Sequence, residues 1–179
     1  MEKKKTLTIQ SMTSIAVMAA VMCVLGPLTI PIGPVPVAPV IAVLFLAVYL
    51  LGTYRAAIAT LIYLLIGLIG VPVFSSFTAG PAKLFGATGG YLVGYIPMVL
   101  ICGFLLGKCR SHLILEFLSM VISLIFLYFM GTIWLMLLSN MTFAAALSVG
   151  VLPFIAIDIG KIVAALFLGR ALKKRLPQI

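Results

Sequence analysis

The chain has 179 residues, of which 64% are hydrophobic and only 8% charged, with a mean hydropathy of +1.35. A soluble domain carries about a quarter charged residues, so this mixture excludes a water-facing globule and takes the bilayer as its solvent. The formal net charge of +9 does not indicate nucleic acid, because the basic residues sit at the ends and between apolar runs, where they hold membrane spans in register.

Three lysines, Lys3, Lys4 and Lys5, precede an apolar stretch from about Leu7 to Leu25. It is long enough to span, and no small-residue cleavage site follows it, so it reads as an uncleaved first helix. The Pro/Gly-rich stretch from Gly26 to Pro39 cannot continue a helix and reads as an extended loop with re-entrant character. A second helix runs from about Val40 to Leu51, LGTYR makes a tight turn, and a third helix covers about Ala56 to Gly70. VPVFSSFTAGPAKLFGATGG forms a longer loop before a fourth helix, about Tyr91 to Leu106, with Pro97 as a kink. KCRSH is a basic turn, a fifth helix runs from about Leu113 to Leu138, and SNMTFAAALSVGV connects it to a sixth, about Leu152 to Leu172. The expected architecture is a single all-α membrane domain, residues 1–179, with six transmembrane helices.

Six spans place both termini on one side, and the distribution of basic residues tests that independently. One side collects Lys3, Lys4, Lys5, Arg55, Lys108, Arg110, Arg170, Lys173, Lys174 and Arg175. The opposite loops hold Lys83 alone, and Lys161 lies within the last span. A ten-to-one split gives cytoplasmic termini and puts the Gly-, Pro-, Ser- and Thr-rich loops outside.

The sixth helix poses the chemical question. Its run FIAIDIGKIVAALFLG contains Asp158 and Lys161, two of the few charges in the chain. At ~1.5 Å per residue they lie about 10 Å and about 15 Å beyond Val151, and a spacing of three puts them on one face. Ionisable groups at that depth cost a few kcal/mol unless they meet a polar cavity or a partner, so two readings stand. The residues pair with each other and pin the helix, or the pair faces a ligand, and one does not forbid the other.

The remaining signals are weaker. Ala16 and Ala20 form a small-xxx-small pattern on the first helix, which permits close helix approach, whether internal or to a partner. Cys23, Cys102 and Cys109 are scattered, and His112 has no second ligand in sequence, so neither a disulfide nor a metal site is expected. Glu116 reads as an interfacial charge near Lys108 and Arg110. Trp134 and the tyrosines suit either interfacial anchoring or a pocket wall. The chain lacks a Walker A motif, an intramembrane HExxH and an aspartate cluster, and Ser75 and Ser76 have no histidine nearby in sequence, which speaks against an enzyme.

The segment FGATGGYLVGY, residues 85–95, resembles the FGPTGGYLxGF signature of the BioY family, the biotin-specific substrate-binding (S) components of energy-coupling factor transporters. IPIGPVPVAPV is similar to that family's GPVPITLQ stretch, and PFIAIDIGK, residues 153–161, is similar to its PxxxxDxxK pattern. The motifs occur in the family's order, and the six-helix outline covers the whole chain. The resemblance implies a multi-pass cell-membrane protein of the S-component fold that binds biotin as transported ligand, with no cofactor. It also implies an energising module, made of a transmembrane T protein and two ATP-binding-cassette ATPases. Ala16 and Ala20 then match the AxxxA motif through which S-components dock on the T protein.

Biotin presents two ureido N–H donors, a carbonyl, an apolar bicycle and a carboxylate tail. Asp158 suits the ureido N–H groups, and Lys161 the carbonyl or the carboxylate. Gly86, Gly89 and Gly90 either permit close backbone approach to the ligand or make a tight turn into the fourth helix, and Thr88 and Tyr91 offer hydroxyls and an aromatic wall. The chain departs from the family pattern at Ala87, in place of proline, and at Ala38-Pro39-Val40, which lacks the glutamine of GPVPITLQ. Lys83 is an added charge in the external loop, able to attract the carboxylate or to remain solvated. The competing expectations are an S-component for another vitamin or for lipoate, and a self-sufficient secondary carrier. The latter should show further intramembrane polar ligands and internal repeats, which the sequence lacks.

Overall fold

The computed structural model describes residues 8–30, 35–109 and 112–175. Lys3 to Lys5, the middle of the first Pro-rich loop, Arg110 and the last residues of the tail lie outside the described residues. Helix α1 (Ile9–Leu25) starts at Thr8, whose side chain accepts from the Ser11 N–H at 3.4 Å, and ends where the Gly26 N–H returns to Met22 O at 2.8 Å. Helices α2 (Val40–Leu51) and α3 (Thr53–Leu68) are joined by Gly52 alone, at φ 80°, a conformation that glycine adopts without steric cost. A single turn, α4 (Pro81–Leu84), leads into α5 (Gly89–Cys109), which continues through Pro97. Helix α6 (Leu113–Ser139) stops at Asn140, in the left-handed conformation at φ 50°.

Two features differ from the sequence expectation. The stretch read as a connection folds into a further helix, α7 (Phe143–Gly150), because the Thr142 side chain accepts from the Ala145 N–H at 3.3 Å and caps a run of strong helix formers. Helix α8 (Ile155–Arg175) then starts about one turn later than expected, after Pro153, and the α7 and α8 axes are bent by 50°. Asp158 therefore belongs to the first turn of α8, about 5 Å from its start.

By length and composition α5 and α6 can each cross a membrane, and α7 with α8 make a third, broken span. Helices α1, α2 and α3 are shorter and apolar. The 12 residues of α2 reach only about 18 Å, against about 30 Å of hydrocarbon. Its enclosure makes that length sufficient. Helix α2 packs against α1, α3, α5 and α8, and 9 of its residues are buried. Val35, Pro36 and Ala38, just before it, line a cavity, where irregular backbone is tolerated at membrane depth. Helices α6 and α8 turn Ile122, Ile125, Phe129, Phe167 and Leu168 outward, as a lipid-facing surface does.

The far end of α8 is held by a second ion pair. Glu116 is buried rather than interfacial, which corrects the sequence reading: the packing of α6 on α8 brings it to Arg170, 54 residues away. Arg170 Nε and Nη2 both lie 3.0 Å from Glu116 Oε2, and Tyr49 of α2 donates its hydroxyl to the same oxygen at 3.3 Å. Arg170→Ala would leave a buried carboxylate that keeps its Tyr49 hydrogen bond but loses its Arg170 ion pair. It should cost about 2 kcal/mol, partly recovered by Glu116→Gln in the same chain. The midpoint of thermal unfolding in detergent checks this, and an unchanged midpoint in Arg170→Ala would contradict it.

Candidate functional site

An open cleft with a cavity volume of about 30 Å³ lies where α1 ends and α2 and α5 begin. Gly26, Val35, Pro36, Ala38 and Val40 form one side, and Tyr63 of α3, Ser75, Thr88, Tyr91, Leu92 and Tyr95 form the other. Tyr63 is fixed by donating to Val73 O at 3.2 Å and by an edge-on contact with Phe74, ring centroids 5.7 Å apart. Tyr91 donates to Gly150 O of α7 at 3.1 Å. Tyr95 is 4% exposed, and among the described residues its hydroxyl has no hydrogen-bond partner, which leaves it available to a molecule in the cavity.

Two loops close over this end. The Ser76 N–H donates to Thr29 Oγ1 at 3.0 Å and to Pro27 O at 3.2 Å, and the two hydroxyls meet at 3.1 Å. These bonds hold Ser76 and Phe77 at φ 57° and 56°, in the left-handed region that residues with a β-carbon rarely occupy. The first and third connections are thereby pinned together.

The α8 pair stands behind the cavity wall. Lys161 Nζ donates to Asp158 Oδ1 at 2.6 Å, and the Tyr128 hydroxyl of α6 donates to Asp158 Oδ2, also at 2.6 Å. A further Lys161 bond, 3.0 Å to Ala38 O, ends on a residue that lines the cavity. Asp158 is 2% exposed and Lys161 13%. Each carboxylate oxygen keeps a second lone pair, so the pair can accept another donor without being dismantled.

Of the residues expected from sequence, Thr88 and Tyr91 line the cavity, and Asp158 and Lys161 reach its wall through Ala38. Gly86, Gly89 and Gly90 do not line it. A β-carbon on Gly89 would strike the Leu84 carbonyl, one on Gly90 would strike Trp134, and Trp134 Nε1 donates to Gly86 O at 3.0 Å. These glycines build the turn from α4 into α5 and seat it on α6. Ala16 and Ala20 are exposed on α1, away from the core. Sequence reasoning did not single out Tyr63, Tyr95 and Tyr128. Their one signal is a hydroxyl inside an apolar helix, a group that needs a partner when buried.

This arrangement defines a multi-pass membrane protein with an open, tyrosine-lined cleft at one end of a helical bundle. The fold agrees with a crystal structure of the S-component for biotin from an ECF-type ABC transporter: TM-score 0.89, 29% identity, covering 99% of this chain and 97% of that one. Among curated proteins, the chain is 36% identical to biotin transporter BioY2 of Lactococcus lactis subsp. cremoris, over 93% of this chain and 91% of the relative. It is 35% identical to biotin transporter BioY of Thermotoga maritima, over 82% and 86%. The BioY family matches residues 1–178, and the chain belongs to that family.

Gly90→Val should displace Trp134 and cost about 1–3 kcal/mol through overpacking. A lowered unfolding midpoint with a shifted tryptophan emission checks it, since Trp134 is the one tryptophan in the chain. Unchanged emission would mean that the turn does not rest on Trp134.

Proposed function

We propose that this protein is the biotin-capturing S subunit of an energy-coupling factor transporter. The observation that carries the reading is a buried carboxylate, held by a lysine and a tyrosine, behind the wall of an open cleft lined by three tyrosines. Asp158 accepts from the ureido N–H groups through its remaining lone pairs, and Lys161 supplies the opposite charge beside it. Tyr91 and Tyr95 face the bicycle, the latter with a free hydroxyl. Membership of a family whose named members are biotin transporters supports the choice of ligand.

In this reading both termini are cytoplasmic and the cavity opens outside, as the distribution of basic residues indicates. Transport is driven by a module with a membrane T protein and two ATPases. The exposed face of α1 carrying Ala16 and Ala20 approaches that T protein.

Calorimetric titration of the purified protein with biotin, lipoate, riboflavin and thiamine tests the assignment. Biotin should bind tightly, and Asp158→Asn or Lys161→Ala should each weaken it by about 2–4 kcal/mol, because one member of a desolvated pair is lost. Tight binding indifferent to both changes would return the pair to a purely structural role. Preference for lipoate or another vitamin would move the substrate assignment. Ala16→Leu with Ala20→Leu should leave binding intact and abolish co-purification with the T protein, and retained co-purification would remove α1 from the docking surface.

A further inference from the structure

Tyr91 belongs both to the cleft and to a joint between two helices. It lines the cleft, while its hydroxyl donates to the Gly150 carbonyl, 59 residues away, at 3.1 Å. Its path is built from missing side chains: a β-carbon on Gly131 of α6 would strike the ring, and one on Gly150 would strike the hydroxyl. A phenol has one proton to give, and here it goes to the backbone. What Tyr91 offers a ligand is therefore its ring.

Gly150 is the last residue of α7, and four residues separate it from Ile155, the first of α8. That corner is closely bonded. The Val151 N–H donates to Leu147 O at 3.0 Å, the Phe154 N–H to Val151 O at 2.9 Å, and the Asp158 N–H to Phe154 O at 2.8 Å. Val151 and Phe154 are both buried. A bonded path thus runs from the Tyr91 hydroxyl, through the 50° bend, to the residue that carries the buried carboxylate. Helix α7 packs on α6, and Tyr91 ties it also to α5, the helix that supplies Tyr91, Leu92 and Tyr95 to the cleft wall.

We infer that the Tyr91 hydroxyl is a positioning group for the ligand site: by holding the α7–α8 corner it sets Asp158 relative to the α5 wall, and it acts on the ligand through Asp158 rather than by touching it. The inference deepens the biotin reading and rests on it. A ligand that meets both the Tyr91 ring and Asp158 binds best when their separation is fixed before it arrives.

Calorimetric titration with biotin, on the full chain in lipid nanodiscs, tests this with Tyr91→Phe, Gly150→Ala and a double-mutant cycle with Asp158→Asn. Tyr91→Phe keeps the ring and removes the bond to Gly150, and it should weaken biotin about fivefold, the size of one ordinary hydrogen bond. Gly150→Ala breaks the same bond from the other side, at a residue outside the cleft lining, and should also weaken biotin. Alanine is the better helix former, so that loss would not come from a weaker α7. In the Asp158→Asn background, titrated up to millimolar biotin, Tyr91→Phe should cost less than about twofold, because the group it positions is no longer a carboxylate. Equal losses from Tyr91→Phe in both backgrounds would overturn the inference and give the hydroxyl a direct contact with the ligand. So would a Gly150→Ala protein that binds biotin as tightly as wild type. Failure of folded wild type to bind biotin would instead overturn biotin capture itself.

Discussion

Everything at the cavity end of this protein is arranged around one cost, the removal of the Asp158 carboxylate from water. A carboxyl group that is 2% exposed is tolerated only when its oxygens are matched by donors nearby. Lys161 supplies the charge, Tyr128 a second donor, and Ala38 O takes up a further Lys161 hydrogen. Each partner comes from a different part of the chain, so the pair fixes α8 against α6 and against the segment that leads into α2. The other end of α8 repeats the scheme with Arg170, Glu116 of α6 and Tyr49 of α2. Helix α8 is thus tied at both ends to the same two neighbours, and slow drift of one helix past another is opposed at two levels.

The cavity follows from what that clamp leaves unfilled. Helix α2 is too short to cross the hydrocarbon, and irregular backbone at residues 35–39 takes over where it stops. On the opposite side the start of α5 is drawn close to α6 and α7 by absent side chains. Gly90 lies on Trp134, and Gly131 and Gly150 make room for the Tyr91 ring and hydroxyl. Close packing there and open space beside α2 are two results of one distribution of small residues.

Much of this was legible in the sequence, since apolar length and Pro/Gly punctuation locate helices without tertiary information. The spans of α1, α2 and α6 were recovered to within about two residues. The error at α7 arose from weighing the polar flank Ser-Asn-Met-Thr as a loop, when Thr142 ahead of an Ala-rich run is a capping signal. The same error displaced the start of α8 and so the depth of Asp158. The pairing of Asp158 with Lys161 follows from their spacing, whereas Tyr128, Ala38 and the Glu116–Arg170 pair depend on how distant helices meet. No local pattern encodes a contact between residues 123 positions apart, as Lys161 and Ala38 are.

Trp134 gives the molecule a property unrelated to holding its ligand. Its indole N–H is bound to the carbonyl of Gly86, inside the turn that delivers Thr88 and Tyr91 to the cavity. As the single tryptophan in the chain it makes the turn optically distinct from every other part of the protein. Movement of the α4–α5 corner changes the polarity around one chromophore, so the conformational state of the cavity entrance can be read in real time without a label.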